Sequence, residues 1–460
     1  MTLLIRDTTI VTGDEAGTIH YAAALAIEGN RIAAIGPDAE LAARFPEAET
    51  VDGSGRVVFP GFANIHTHLG MTLARGVFED LSPPHNPPFC GGLSPIPLPR
   101  LAPAEQAVMC QLGALEAIRS GTTALLEDAS GIEDYAQQMV ETGLRMVLAE
   151  RCWDRAGAGI GDPAAFRRDA ALGQAGLARM EALHRRWHGA GRGRIQVGIA
   201  AWAPDMCSPE LLKAVDALNR KLDAVCTIHL NQIWGEVAAV QAHRGMLPSE
   251  YLDSIGFLNE RLVAAHCRCM APLEEKILGR HKVHVAFNAA IAARRGLSPR
   301  VCELEQAGCN IGMGTDNMAE DMVEVMRTGL FMERIRRQDG RSPTPEEALR
   351  WATRNGYRAM GVTDGGWLAE GNLADLVMLR TGRAHLAPFL RAVAVFVHQG
   401  QAADIDDVMV DGAWVMRDRV VLTMDEARVV REAEEIAGRA WARLFAENPG
   451  IAVPPGFRPL

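Results

Sequence analysis

The stretch Gly61-Phe62-Ala63-Asn64-Ile65-His66-Thr67-His68 follows the apolar run Val57-Val58-Phe59 and reads as a β-strand ending in two histidines. Strand side chains repeat every two residues, so His66 and His68 point to one side. Two imidazoles at a strand end can hold one metal ion between them, and imidazole suits zinc, iron and related ions. A His-x-His pair is a weak signal alone. Its weight depends on whether further ligands arrive at equivalent places in the fold.

Outward from this strand, residues 58–363 alternate strand and helix patterns. An amphipathic helix is predicted over 103–119, closed by Ser120-Gly121. Strands are predicted at 57–65, 122–127, 145–149, 195–201, 225–229, 262–266, 284–287 and 310–314. Eight strand–helix units imply α/β architecture with a parallel sheet closed as a (β/α)8 TIM-type barrel. Chemistry in such barrels sits where the strands end. The fifth strand ends at His229, the sixth at His266, and Asp316 follows the eighth. With His66 and His68, every candidate ligand falls at a predicted strand C-terminus.

Residues 1–57 read as short alternating strands with turns at Thr12-Gly13-Asp14 and Gly29-Asn30. A similar block returns over 364–424, with strands near 375–379 and 407–415 around an Asp411-Gly412 turn. Neither block can bury both faces alone, so the two are expected to form one small composite β-sandwich into which the barrel is inserted. Residues 425–447 form a charged amphipathic helix, and the tail to 460 is read as a docking arm.

Composition excludes several classes. Apolar residues make up 48% and charged residues 23% of 460, as in ordinary globular proteins. A net charge of -10 argues against nucleic acid as a partner. The N-terminus lacks a basic segment followed by an apolar one, and no uncharged apolar run is of membrane-spanning length. Nine cysteines are scattered without a framework, which reads as reduced thiols in a cytoplasmic protein. The His-x-Glu and Pro-Cys-x-x-Cys pattern of nucleobase deaminases is absent.

With these segments in view, the chain resembles the amidohydrolase superfamily, within it the triazine-hydrolase and cytosine-deaminase-like group to which atrazine chlorohydrolase belongs. The likeness is carried by Pro60 to His68, Ser120-Gly121-Thr122-Thr123, Leu258 to Cys267, Gly312 to Asp316 and Gly371 to Val377. It implies that His66, His68, His229 and Asp316 bind one divalent metal ion, zinc first and iron, cobalt or manganese as alternatives, with His266 beside it to polarise the bond under attack. Relatives with two metals carry a lysine on the fourth strand. None stands there here, so a mononuclear site is expected. The resemblance also implies a homodimer or homotetramer.

The chain departs from the family pattern at Gln232, where deaminases of this group carry a glutamate three residues after the fifth-strand histidine. An amide has no titratable proton, so Gln232 can bind substrate or water but cannot act as an acid–base. Glu236, one helical turn on, either substitutes for it or is an exposed helix carboxylate. Trp202, Trp234, Asn288 and His85 are further substrate-contact candidates, and Phe287 and Ile291 are expected to give the pocket an apolar wall. The proline-rich stretch 82–99, which includes His85, is expected to cover the pocket as a lid. These residues point to hydrolysis of a C–N bond in a small, largely neutral nitrogen compound: an amide, urea, carbamoyl or ring substituent. The alternatives are an aminohydrolase or chlorohydrolase acting on a triazine, purine or pterin, and a non-catalytic scaffold of the same fold.

Overall fold

The computed structural model describes residues 2–78 and 96–458. His85, Cys90 and most of the proline-rich lid candidate lie outside the described residues.

Five strands come first: β1 (Thr2–Val11), β2 (Ile19–Glu28), β3 (Arg31–Pro37), β4 (Glu49–Asp52) and β5 (Arg56–Pro60). The barrel follows as β6 (Phe62–Thr67), β7 (Thr122–Ala129), β8 (Arg145–Cys152), β9 (Ile195–Ala201), β10 (Cys226–Leu230), β11 (Leu262–His266), β12 (His284–Phe287) and β13 (Asn310–Met313). All neighbours pair in parallel, and β13 closes on β6. Then β14 (Leu376–Arg380), β15 (Ile405–Val410), β16 (Ala413–Arg417) and β17 (Val420–Val421) complete the first group. Its nine-stranded sheet runs β17-β16-β15-β14-β5-β1-β2-β3, with β4 paired to β1. The composite domain is therefore real, and β5 against β14 is the antiparallel seam that joins its halves.

The single strand expected over 57–65 is two strands. It breaks at Gly61, whose N–H donates to the Asp375 carbonyl at 3.1 Å. A Cβ at Gly61 would lie 2.1 Å from Thr123 Oγ1, so no larger residue lets the chain cross here from sheet to barrel. The junction is also held by charge. Arg145 at the start of β8 donates to Asp375 at 2.8 Å and lies 3.3 Å from Asp411, while Tyr357 donates to Asp375 at 2.8 Å.

Side-chain alternation sorts the barrel into two cores. Ala63, Ile65, Ala124, Leu126, Val147, Ala149, Val263, Ala265 and Ala286 fill its interior, capped below by Tyr357 and Met360. Leu125, Met146, Leu148, Val197, Ile228, Leu262, Ala264, Phe287 and Ile311 face outward to the helices. Phe287 thus packs behind the barrel, and the apolar pocket wall expected from it is not formed. The helix Glu426–Glu447, capped by Asp425, packs Trp441 and Leu444 near Leu73 and Phe78 beside the barrel mouth. Phe457 of the tail stacks edge-on against Phe445 at 5.1 Å.

Candidate metal centre

The five candidate residues meet. Ring centroids of His66 lie 4.7, 4.9 and 5.2 Å from those of His68, His229 and His266. Asp316 Oδ1 lies 3.5 Å from His66 Nε2 and 3.3 Å from His68 Nε2. His68 Nε2 and His229 Nε2 are 3.3 Å apart.

Strict alternation does not bring this about. Ala63 and Ile65 face the barrel interior, so His66 would face out. A register shift in the β6–β7 ladder between Asn64 and Thr67 turns it in. His266 follows inward-facing Ala265 and would also face out, but its φ of +81° reverses the chain, with Cys267 N–H bonded to Ala265 O at 3.2 Å. Asp316 has a φ of +69°. Its N–H donates to His66 O at 3.0 Å and its carbonyl accepts from His68 N–H at 2.8 Å. Positive φ at such residues costs about 1–3 kcal/mol each and persists where function selects it.

Hydrogen bonds around the histidines fix which ring nitrogen is free. His68 Nδ1 is 2.6 Å from Asp128 O, and His229 Nδ1 is 2.9 Å from Trp202 O, so both rings donate there and turn a bare Nε2 to the centre. Arg151 holds Asp128 in place through its carbonyl at 2.9 Å and its carboxylate at 2.8 Å. His266 differs: Asn288 Nδ2 lies 3.0 Å from its Nδ1, which leaves the proton on Nε2. Below the centre, buried Glu320 accepts from Thr67, Thr315 and Asn64 at 2.8, 2.6 and 3.1 Å and ties the first and last strands together.

Both nitrogens of His66, Nε2 of His266 and both oxygens of Asp316 are buried without a hydrogen-bond partner. Ligand atoms of His66, His68 and His229 fall within 4.8 Å of one another, as do those of His66, His266 and Asp316. Orphaned, convergent nitrogen and oxygen donors fit a divalent cation. Charge agrees for three of the four rings: burial holds His66 below its ordinary pKa and His229 and His266 well below it, whereas at His68 burial is outweighed by Asp316 against its Nε2, which raises it. Burial pushes the Asp316 carboxyl up, but His266, His66 and His68 around it hold it well below the usual carboxylate range. Neutral imidazoles with an ionised carboxylate are the forms a cation binds.

The centre opens into a cavity of about 1300 Å³ lined by His68, His229, Asp316, Gln232, Asn317, Trp202, Asp128 and Arg151, with Met71, Leu73, Phe78 and Ile160 further out. Its lining mixes these apolar side chains with the charged Asp128, Arg151, Glu127 and Asp134, so it is not the apolar wall expected from Phe287 and Ile291. Trp202 lines it and packs on Trp153 at 5.0 Å. Among the described residues Trp234 does not line it, and Asn288 serves His266 instead.

Glu236 is neither the shuttle nor the exposed carboxylate considered above. It is fully buried, and its oxygens accept the backbone N–H groups of Asn231 and Gln232 at 2.8 and 2.7 Å. Burial, and after it the nearby Asp205, raises its pKa well above the ordinary value. Both oxygens are spent on the loop that carries Gln232, away from the cavity.

Residues 57–415 match the model of the amidohydrolase family. This chain is a member of the amidohydrolase family. Residues 23–48 match the bacterial imidazolonepropionase-like composite domain, in keeping with the two-part sheet. A 5-methylthioadenosine/S-adenosylhomocysteine deaminase of Pelotomaculum thermopropionicum is 33% identical over 448 residues, 95% of this chain and 98% of that protein. The structure of an adenosine deaminase from Xanthomonas campestris with bound zinc superposes with a TM-score of 0.86 at 26% identity, covering 96% of this chain and 98% of that one. Atrazine chlorohydrolase from Arthrobacter aurescens complexed with zinc shares the fold, with a TM-score of 0.82 at 20% identity over 95% of this chain and 100% of that one. The amidohydrolase described here is a hydrolase of carbon–nitrogen bonds other than peptide bonds. Among the described residues no helix is long and apolar enough to cross a membrane.

Proposed function

We propose that this amidohydrolase is a mononuclear metal-dependent aminohydrolase that replaces the amino group on a carbon of an N-heterocycle by oxygen and releases ammonia. The buried meeting of His66, His68, His229 and Asp316 beside His266 carries the reading, and the deaminase relatives favour ammonia release over carbamoyl, urea or chloride chemistry. His66, His68, His229 and Asp316 would hold the ion. Zinc is the first choice, since a zinc-bound neighbour shares the fold, though the same donors accept iron, cobalt or manganese. When bound, the cation lowers the pKa of a water toward about 7 and supplies a nucleophile at neutral pH.

The chain's own residues supply the rest. Asp316 has an oxygen free to take the water proton and pass it to the leaving nitrogen. His266, protonated on Nε2 by virtue of Asn288, donates to charge developing on the substrate. Trp202 offers a flat apolar surface to a ring. Gln232 orients the ring without titrating. A homodimer or homotetramer in the cytoplasm completes the proposal.

Metal analysis followed by an ammonia-release screen tests it. The expected result is about one equivalent of metal per chain and ammonia from an aminated purine, pterin or triazine. Full metal loading with hydrolysis of ureas or carbamates and no ammonia from any aminated ring would replace it with the carbamoyl reading. A chain that takes up no metal after supplementation would favour the scaffold.

A further inference from the structure

The charged and apolar parts of the cavity lining come from different segments. Glu127, Asp128, Asp134, Arg151 and Asp162 reach it from β7, β8 and the loops after them. On the side formed by residues 70–106, the described lining residues are apolar apart from Gln106. That side shares a hydrophobic cluster with the C-terminal helix Glu426–Glu447. Leu73, Phe78 and Ile96 are buried in the cluster with Trp441 and Leu444, while Met71 and Leu101 are only partly buried at its edge. Leu98, which also lines the cavity, is 37% exposed. The wall therefore has apolar surface left to bury.

The C-terminal helix grips both segments of this wall by their backbone. Trp441 Nε1 donates to Leu73 O at 2.8 Å, and Arg443 Nη2 donates to Arg100 O at 2.6 Å. Leu73 belongs to the short helix Leu69–Ala74, which starts directly after His68, and the last carbonyls of a helix need partners from outside it. Trp441 is 2% exposed and meets the Phe78 ring edge-on at 5.9 Å. Arg75, the charge nearest this stretch in the sequence, is tied elsewhere: it donates to Met318 O at 2.6 Å and pairs with Glu116.

Size points the same way. Sites for drug-sized ligands span roughly 300–1,000 Å³, and this cavity holds about 1300 Å³, so a bare ring at the metal centre leaves most of it empty. A substituent on the ring reaches either the charged side or the apolar one. On the apolar side each buried methylene strengthens binding about 4-fold.

We propose that Met71, Leu98 and Leu101, over Leu73, Phe78 and Ile96, form a subsite for an alkyl or aryl substituent carried by the substrate ring, and that Trp441 is the positioning residue that holds it. The C-terminal helix then belongs to substrate recognition although it touches neither the metal ligands nor His266. This inference rests on the aminohydrolase reading above and adds to it the kind of substituent the ring bears.

The test measures kcat and KM for ammonia release by the metal-loaded full chain in three ring series: adenine substituted at N9, pterin at C6 and 2,4-diamino-1,3,5-triazine at C6. Each ring carries methyl, butyl or 3-carboxypropyl. Three added methylenes at about 4-fold each give a ceiling near 50-fold, so butyl should exceed methyl in kcat/KM by at least about 10-fold. A carboxylate loses its hydration against such a wall, so 3-carboxypropyl should fall at least about 10-fold below butyl. Trp441→Phe keeps a ring but leaves the Leu73 carbonyl without its donor. It should lower the butyl-to-methyl ratio by at least about 3-fold, through KM, and Arg443→Met should act in the same direction from outside the core. A loss shared equally by methyl and butyl compounds overturns the role of Trp441. The unmodified chain carries the substituent series, so a variant that fails to fold leaves the subsite tested. Butyl within about 3-fold of methyl on every ring that releases ammonia, or 3-carboxypropyl as the better substrate, overturns the subsite while aminohydrolase activity stands. No ammonia from any ring removes the aminohydrolase reading, and this inference with it.

Discussion

Glutamine in place of Glu236 separates a loop brace from a proton shuttle. Both carboxylate oxygens accept backbone N–H groups, from Asn231 at 2.8 Å and Gln232 at 2.7 Å, in a fully buried setting. Glutamine keeps one acceptor and sets an NH2 group against the other N–H. One buried donor then goes unpaired, at a cost of about 1–3 kcal/mol, and Glu236→Ala, which removes both acceptors, costs roughly twice that. The loop also carries Gln232, so a displacement on the order of 1 Å should lower kcat/KM by up to about 100-fold. Urea unfolding of the metal-loaded protein gives the first quantity, and kcat and KM across pH give the second. A brace predicts that stability and activity fall together, with the shape of the pH profile unchanged. A shuttle predicts an unchanged unfolding midpoint, a kcat loss of about 1000-fold and a missing limb in the pH profile, and that result would refute the assignment.

Asp316→Asn removes the anionic ligand and should weaken metal binding beyond the about 10–100-fold typical of losing an outer partner, read by competition with a chelator. Burial pushes the Glu127 carboxyl up from 4.5 to about 7. Its folded value exceeds its unfolded one, so the stability it contributes is full below about pH 4.5 and is lost as pH rises through about 7. Thermal unfolding should therefore show Tm falling between those values, less so in Glu127→Gln. Gly314→Ala would place a Cβ 2.3 Å from Asn288 Oδ1 and 2.8 Å from His66 O. It should displace Asn288 from His266 and press on the His66 backbone, lowering kcat by about 10–100-fold and metal content by mass spectrometry with it.

Much of this was legible in the residues. Strands β9, β11 and β12 and the helix Pro103–Arg119 begin and end where period and turn residues place them. That His66, His68, His229, His266 and Asp316 meet was legible because a parallel barrel puts its strand ends on one rim, where residues far apart in the sequence gather. The inward turn of His66 and His266 was not, since it depends on a register shift and a positive φ that alternation cannot encode. Glu236 misled because spacing along a helix gives its face but not what is packed against it, here the backbone of its own preceding loop. Asp128, Arg151 and Glu320 were missed for a related reason. They act on the centre through carbonyls and hydroxyls, which follow no ligand spacing. Glu320, four residues beyond Asp316, was the one that proximity could have flagged. The break at Gly61 was announced by Pro60-Gly61, but the apolar run on both sides concealed that it serves two sheets.

The seam between β5 and β14 has a consequence during synthesis. Residues 56–60 leave the ribosome early, yet the strand that covers one of their edges, Leu376–Arg380, is made only after the whole barrel. For that interval Val57, Val58 and Phe59 wait with an open edge, a template for pairing with another nascent chain. Products released before codon 380 keep that edge permanently. Slow translation or premature termination anywhere in the barrel should therefore send this protein to inclusion bodies, even when the barrel sequence itself is sound.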